Sequence, residues 1–322
     1  MTISEHVAEF AGLPCFQFEE GAELPETPAS VAWRVEAWGE DDPDWEAQLS
    51  PTFQRVFESF LGTVDPATVT ALVIGSWGYA ASNTAPIEQL CAAASRLTGL
   101  RALFLGDITS EDCEISWIRQ GDITPLLAAY PDLEVLWVRG ADPQQADEPG
   151  VLRLDPVRHT ALRELVIESG GLPGSVVRGV GECDLPALEV LELWLGTDDY
   201  GGDATVDDLA PILAGNRLPE LRYLGLRDAE IADEVAAALA AAPVVAQLDI
   251  INLSLGTLSD EGAAALLAGQ PLTHLRRLDL HHHYLGEEMV EQLSAALSGV
   301  EVDLSDPQEP DEDGDRYVAV SE

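Results

Sequence analysis

The sequence predicts an α/β repeat protein in which a short strand and a return helix alternate along the chain and stack. Three observations carry this. An apolar-x-x-apolar-x-apolar pattern recurs nine times between residues 69 and 305, with starts 24–33 residues apart. Its x-apolar-x-apolar-x centre has period 2, the signature of a strand with one face inward. Most copies run into a segment with helical spacing, and strands joined through a crossover helix run parallel.

The copies are Val69–Leu72–Ile74, Leu100–Leu103–Leu105, Leu133–Leu136–Val138, Leu162–Leu165–Ile167, Leu188–Leu191–Leu193, Leu221–Leu224–Leu226, Val245–Leu248–Ile250 and Leu275–Leu278–Leu280; the ninth, Gly299–Val302–Leu304, lacks the first apolar residue. They predict nine parallel strands centred near residues 72, 103, 136, 165, 191, 224, 248, 278 and 302. Helices are expected over Val206–Leu213, Asp233–Ala241, Asp260–Leu267 and Glu287–Leu297, with Ser259 or Asp260 as a cap. The Gly- and Pro-rich stretch 139–187 is expected to lack a full helix.

A strand and helix of this length cannot bury an apolar face alone, so stacked copies share one core and need capped ends. Residues 1–65 are read as the N-terminal cap, with strand-like Cys15–Phe18 and Val31–Trp38 and a helix from Asp44 to Leu61. Residues 66–305 form the repeats. Residues 306–322 are an acidic tail, disordered over 306–315 on composition and ending in a short strand at Arg316–Val320.

The repeat pattern resembles the leucine-rich repeat. In Leu275–Leu280 followed by Leu285–Leu293, and in Leu248–Ile250 followed by Leu258–Ala263, it resembles the ribonuclease-inhibitor class. That likeness implies a solenoid, a horseshoe with a parallel concave sheet and a mostly helical convex side. The Asn usual after the strand is missing; the position reads Ile108, Ala229, Leu253 and His283. The stretches GDITSEDCEISWI (106–118), PDLEVLWVRG (131–140) and LWLGTDDYGGDATVDDL (193–209) are similar to a group of uncharacterised bacterial cytoplasmic leucine-rich repeat proteins. This second likeness implies fold and compartment, and no activity.

On the concave face the alternation places a mixed patch of Phe104, Trp137, Arg139, Glu192, Trp194, Tyr223 and Arg227. Exposed aromatics with arginines make binding hot spots; the competing reading is that loops fold over them and bury them. Arg139 is expected to pair with Glu168, and Arg227 to reach the Trp194 ring. Asp249, Asp279 and Asp303 share one column, with His281 beside it, where a cation or a basic partner would relieve repulsion. His283 is read as a surface strand end. The loop Thr197–Asp203 lacks the spacing of a calcium-binding loop, and helix-capping acids explain it as well. Loops 75–79 and 106–122 are expected on one rim, a common place for recognition.

Composition narrows the function. The chain of 322 residues has no lysine, 16 arginines and 58 acidic residues, a net charge of −42. Phosphate backbones and anionic membranes are therefore disfavoured partners, and duplex DNA should not be retained at physiological salt. A missing lysine removes Schiff-base chemistry and the phosphate-loop lysine. Four scattered cysteines suggest neither a metal cluster nor a disulfide framework. No signal peptide or membrane span is expected, so the cytoplasm is the expected compartment. Nucleophile-elbow, dinucleotide and zinc-protease motifs are absent. The expectation is a non-catalytic protein-binding scaffold without cofactor or metal, favouring a basic protein partner. The alternative is a small-molecule- or metal-binding accessory to a biosynthetic enzyme.

Overall fold

A computed structural model describes residues 3–38, 49–141 and 150–321. It shows an α/β chain with twelve strands and eight α-helices among the described residues. No helix among them is long and apolar enough to cross a membrane. Two compact units divide the chain, Met1–Glu168 and Ser169–Ser321.

In the first unit, β1 (Glu9–Phe10) pairs antiparallel with β2 (Leu13–Gln17). From there β2, β3 (Ala32–Ala37), β4 (Ala71–Trp77), β5 (Ala102–Leu105), β6 (Val135–Arg139) and β7 (Glu164–Glu168) pair in parallel, in chain order. The register aligns Phe16, Trp33, Leu72, Leu103, Leu136 and Leu165. Two strands of the segment expected to cap the repeats thus lie in register with them. Leu13–Phe16–Phe18 is itself a copy of the apolar pattern, and Ser30–Trp33–Val35 is one whose first apolar residue is Ser.

Helix α1 (Pro51–Thr63) covers the start of this core. Ser50 accepts the Phe53 N–H at 3.2 Å and Pro51 opens the first turn, a start that needs no N–H from the proline. Phe53, Phe57 and Phe60 form its buried stripe. Phe60 meets Phe18 and Trp33 at 5.3 and 5.7 Å between ring centres. The helix begins at Pro51, and the Asp44–Gln48 part of the expected helix lies outside the described residues. Shorter helices α2 (Ile87–Ala93) and α3 (Thr124–Ala129) follow β4 and β5.

In the second unit, β8 (Val190–Gly196), β9 (Tyr223–Ala229), β10 (Ile250–Asn252), β11 (Arg277–Asp279) and β12 (Glu301–Asp303) are parallel and sequential. Helices α4 (Gly174–Glu182), α5 (Val206–Leu213), α6 (Ala232–Leu239), α7 (Asp260–Ala268) and α8 (Glu287–Ala296) lie between or before them. Four match the helical spacing closely. Helix α4 is a correction, since a glycine-rich stretch was expected to lack one. Val176, Val177 and Val180 bury one face, and Gly181 leaves room for Pro211 of α5, 3.0 Å from where a Cβ would stand.

One strand sits three residues later than expected. Ile251, not Leu248, pairs with Leu224 and Leu278. The segment satisfies the apolar template twice, as Val245–Leu248–Ile250 and as Leu248–Ile251–Leu253. Pro243 starts a 3-10 turn through Gln247 that absorbs Val245, so the second fit is used. Asn252 therefore takes the column position assigned to Asp249, which lies exposed outside the strand.

Candidate functional site

The seven residues of the expected concave patch divide between the units. In the first, Phe104 and Arg139 are fully buried and Trp137 is half-buried. What covers them is the N-terminal segment. Val7 and Phe10 pack with Ala32, Ala71, Val73, Ala102 and Phe104 into one apolar cluster, against which Trp137 lies. Phe10 meets Phe104 at 5.9 Å and Trp137 edge-on at 5.5 Å. The Trp137 indole N–H donates to Glu164 at 2.6 Å. The exposed aromatic surface considered from sequence is here a second core.

Beside that core runs a buried ion network. Arg139 Nε donates to Glu168 Oε2 at 2.5 Å, and its guanidinium lies over the Phe104 ring, 5.2 Å from the centroid. Asp107, fully buried in the loop after β5, pairs with Arg34 and lies 3.7 Å from Arg139. It also accepts the Val7 N–H at 3.3 Å, and the His6 ring stands 3.5 Å away. Arg34 donates to the Val7 carbonyl at 2.8 Å. Burial raises the carboxyl pKa of nearby Glu36, against the pull of His6 and Arg34.

In the second unit, Glu192 is the hub. Its Oε1 accepts from the Trp194 indole at 2.8 Å and from Arg227 at 2.7 Å, and its Oε2 accepts from the Tyr223 hydroxyl. Arg227 also reaches Ser254 Oγ at 2.9 Å and lies over the Trp194 ring at 5.0 Å. Asn252 donates to the Tyr223 oxygen at 3.0 Å. Burial, then the Glu192 charge, drives the Tyr223 hydroxyl well above its ordinary pKa. Burial alone would lower the Arg227 pKa; the Glu192 charge outweighs it and the net shift is upward. Trp194 is 1% exposed and Glu192 and Arg227 are buried, leaving Tyr223 half-buried.

The acidic column holds its own counter-ion. Asp279, His281 and Asp303 bring their donor atoms within 4.8 Å of one another, a spacing that could hold a metal. Arg277 donates to Asp279 at 2.7 Å and to Asp303 at 3.0 Å, and His281 Nδ1 lies 2.7 Å from Asp279 Oδ1. The guanidinium already supplies the cation these carboxylates need. His283, read as a surface residue, is buried: its Nδ1 accepts the Leu285 N–H at 3.1 Å and its Nε2 lies 3.1 Å from the Leu304 carbonyl. It satisfies backbone groups in the turn after β11, at the position where Asn was missed. In the loop 197–203, Asp203 accepts the first N–H of α4 at 2.7 Å, the capping role weighed from sequence.

A different group of residues lies open on the loops after β4 and β5. Among the described residues four large hydrophobic side chains are exposed, Trp38, Tyr79, Trp117 and Tyr317, and two of them, Tyr79 and Trp117, lie on these loops. Tyr79 and Trp117 line one hollow of about 390 Å³, with Glu111, Asp112 and Glu114. Their positions are fixed from below. Gly78, at φ +103°, turns the chain so that Tyr79 points out, a conformation other residues rarely adopt. Buried Asn83 accepts the Tyr79 N–H at 2.7 Å. Ile115 and Ile118, both fully buried, anchor the short turn that presents Trp117. Arg119 N–H donates to Ala80 and Ala85 N–H to Arg119, each at 3.0 Å, tying the two loops together. The sequence marks the first of these loops, Gly75–Tyr79, as aromatic and both as recognition loops, but it does not single out the Tyr79 or Trp117 ring as a contact.

No family profile and no curated protein matches the chain. Among solved structures, a crystal structure of a Bacteroides fragilis protein, a structural-genomics target, matches with a TM-score of 0.70 and 32% identity. The match covers 79% of this chain and 70% of that one. The chain belongs to the same family as this Bacteroides fragilis protein. Membership carries the α/β fold and no activity.

The C-terminal segment is another departure from expectation. Residues 306–315, expected to be disordered, form a hydrogen-bonded turn in which Asp311 accepts N–H groups from Asp313 and Asp315. Arg316–Val320 runs as irregular chain rather than a strand, because side chains and loops, not a strand edge, receive it. Arg316 donates to Asp233 at 3.0 Å and to the Thr257 carbonyl at 2.7 Å. Val320 N–H donates to Asp228 Oδ1 at 3.0 Å. Asp228 is fully buried at φ +51°, and its Oδ2 has no partner.

Burial raises the Asp228 carboxyl pKa well above 3.8, against Val320, Arg227 and Ala319. The stability this group contributes is complete below 3.8 and is lost as pH rises through its folded-state value. Asp228→Asn should therefore flatten part of the pH dependence. Urea midpoints from about pH 4 to 7 are expected to fall less steeply in the variant than in the wild type. Parallel curves would show that Asp228 ionises freely in the folded state.

Proposed function

We propose that the chain is a leucine-rich-repeat solenoid of the ribonuclease-inhibitor type, a horseshoe acting as a non-catalytic protein-binding scaffold in a bacterial cytoplasm. Copies that pair in register within each unit, from Leu13 to Ile167 in the first and from Leu188 to Leu304 in the second, support the repeat reading. The observation that carries the binding reading is the pair of exposed aromatics, Tyr79 and Trp117, held on tied loops over one hollow. Rigid, amphipathic rings exposed on ordered loops are what interface anchors are made of. Of the seven sheet residues, Trp137 keeps partial exposure in the first unit and Tyr223 in the second, and each is proposed to offer contact surface within its own unit. Phe104 and Arg139 are proposed to support the first from within, and Glu192, Trp194 and Arg227 the second. The accessory reading has its handle in Asp279, His281 and Asp303, where the Arg277 guanidinium already bridges the two aspartates, so the scaffold is preferred.

A net charge of −42 favours a basic partner and a salt-sensitive complex. The test is capture from native lysate with wild type, Tyr79→Ala and Trp117→Ala, followed by affinity measurement on the identified partner. Each substitution is expected to weaken that partner by about 2 kcal/mol and leave thermal unfolding nearly unchanged. Undiminished capture by both variants would move the contact surface elsewhere.

A further inference from the structure

Resting on the partner-binding reading, we infer that the hollow between the loops after β4 and β5 receives an arginine side chain on an extended segment of the partner. The chemistry of its walls is the argument. Among the described residues three carboxylates, Glu111, Asp112 and Glu114, line it with Tyr79 and Trp117, and no basic side chain does. The Trp117 indole N–H donates to Glu114 Oε2 at 3.1 Å, which holds that carboxylate at the edge of the ring. Asp112 is fixed by Thr109 Oγ1 at 2.8 Å. A planar cation can therefore lie on an aromatic face and donate to a carboxylate in one step, which suits guanidinium better than ammonium. The volume of about 390 Å³ falls within the ordinary range of ligand sites.

The second unit contains an internal example of the same chemistry. There the irregular segment Arg316–Val320 lies with the Arg316 guanidinium on Asp233 of α6 and on the Thr257 carbonyl. One carboxylate in the first turn of a helix, with one backbone carbonyl, thus holds an arginine from a non-strand segment.

The experiment follows the indole N–H resonance of Trp117, assigned with Trp117→Phe, while the full chain is titrated with an acetylated, amidated Gly-Arg-Gly peptide. The control peptide carries citrulline, neutral and nearly isosteric with arginine. Saturable movement of this resonance in the millimolar range is expected, about fivefold weaker with citrulline. A comparable loss is expected for Glu114→Gln with the arginine peptide, while buried tryptophans stay still. Equal binding of the two peptides would overturn the inference. So would no movement up to about 10 mM peptide, or small non-saturating shifts across all acidic surfaces, which mark an ion atmosphere only. Failure here and failure of the scaffold reading are separable. If the peptides bind alike yet Trp117→Ala loses the partner, the partner surface stands and the arginine pocket falls. If the arginine peptide binds as expected while Trp117→Ala keeps the partner, the pocket stands and the partner docks elsewhere.

Discussion

Trp194→Ala is expected to destabilise the protein by about 3–5 kcal/mol, the range for removing a large aromatic from a packed interior. At 1% exposure the ring has no solvent face to lose. Its removal also strips Glu192 of one hydrogen bond and Arg227 of the ring it lies over. Trp194→Phe separates the two parts. It keeps most of the apolar volume and removes the N–H donor, so a loss of about 1–2 kcal/mol is expected. Urea unfolding of both variants measures this. A loss under about 1 kcal/mol for Trp194→Ala would mean the site opens readily and the ring is not core. Had the ring stood exposed, as one reading of the concave face allowed, the same substitution would weaken partner binding and spare the fold.

The contrast shows what the sequence could and could not carry. Alternation along a strand fixes which side chains share a face, so neighbours in a column were readable. Arg139 does meet Glu168, and Arg227 does lie over Trp194. Burial was not readable, because the cover comes from far away along the chain. Phe10 closes over Phe104 and Trp137 from 94 residues before Phe104 (104 − 10), and no local pattern links them. Strand placement failed where the template was degenerate, at Leu248–Leu253, and at Arg316–Val320, which is irregular chain; Val31–Trp38 was expected as a strand, and the polar Ser30 hid its place among the repeats. Helix-capping and backbone-satisfying roles, such as that of His283, depend on which carbonyls a turn leaves unpaired. That is set by the turn's geometry rather than by the residue's type.

Asp107→Asn is the second substitution expected to have a large effect. In the wild type this fully buried carboxylate faces two guanidinium groups, Arg34 and Arg139, and holds the N-terminal segment through the Val7 N–H. Asparagine keeps the shape and loses the charge. Arg139 then keeps Glu168, while Arg34 loses its paired carboxylate and is left with Glu36 nearby. Removing one partner of a buried pair leaves an uncompensated charge and costs about 3–5 kcal/mol. The effect should be directional within the first unit. With Val7 and Phe10 less firmly seated, amide exchange over residues 7–18 is expected to accelerate before exchange in β5 or β6. Coupling to Arg34 follows from the same geometry. Arg34→Met alone should be costly because it strands Asp107, whereas Arg34→Met with Asp107→Asn should recover about 1–2 kcal/mol relative to the sum of the singles. Strict additivity in that cycle would mean that Arg34 and Asp107 act independently, and that the N-terminal segment is held over the sheet by its apolar contacts alone.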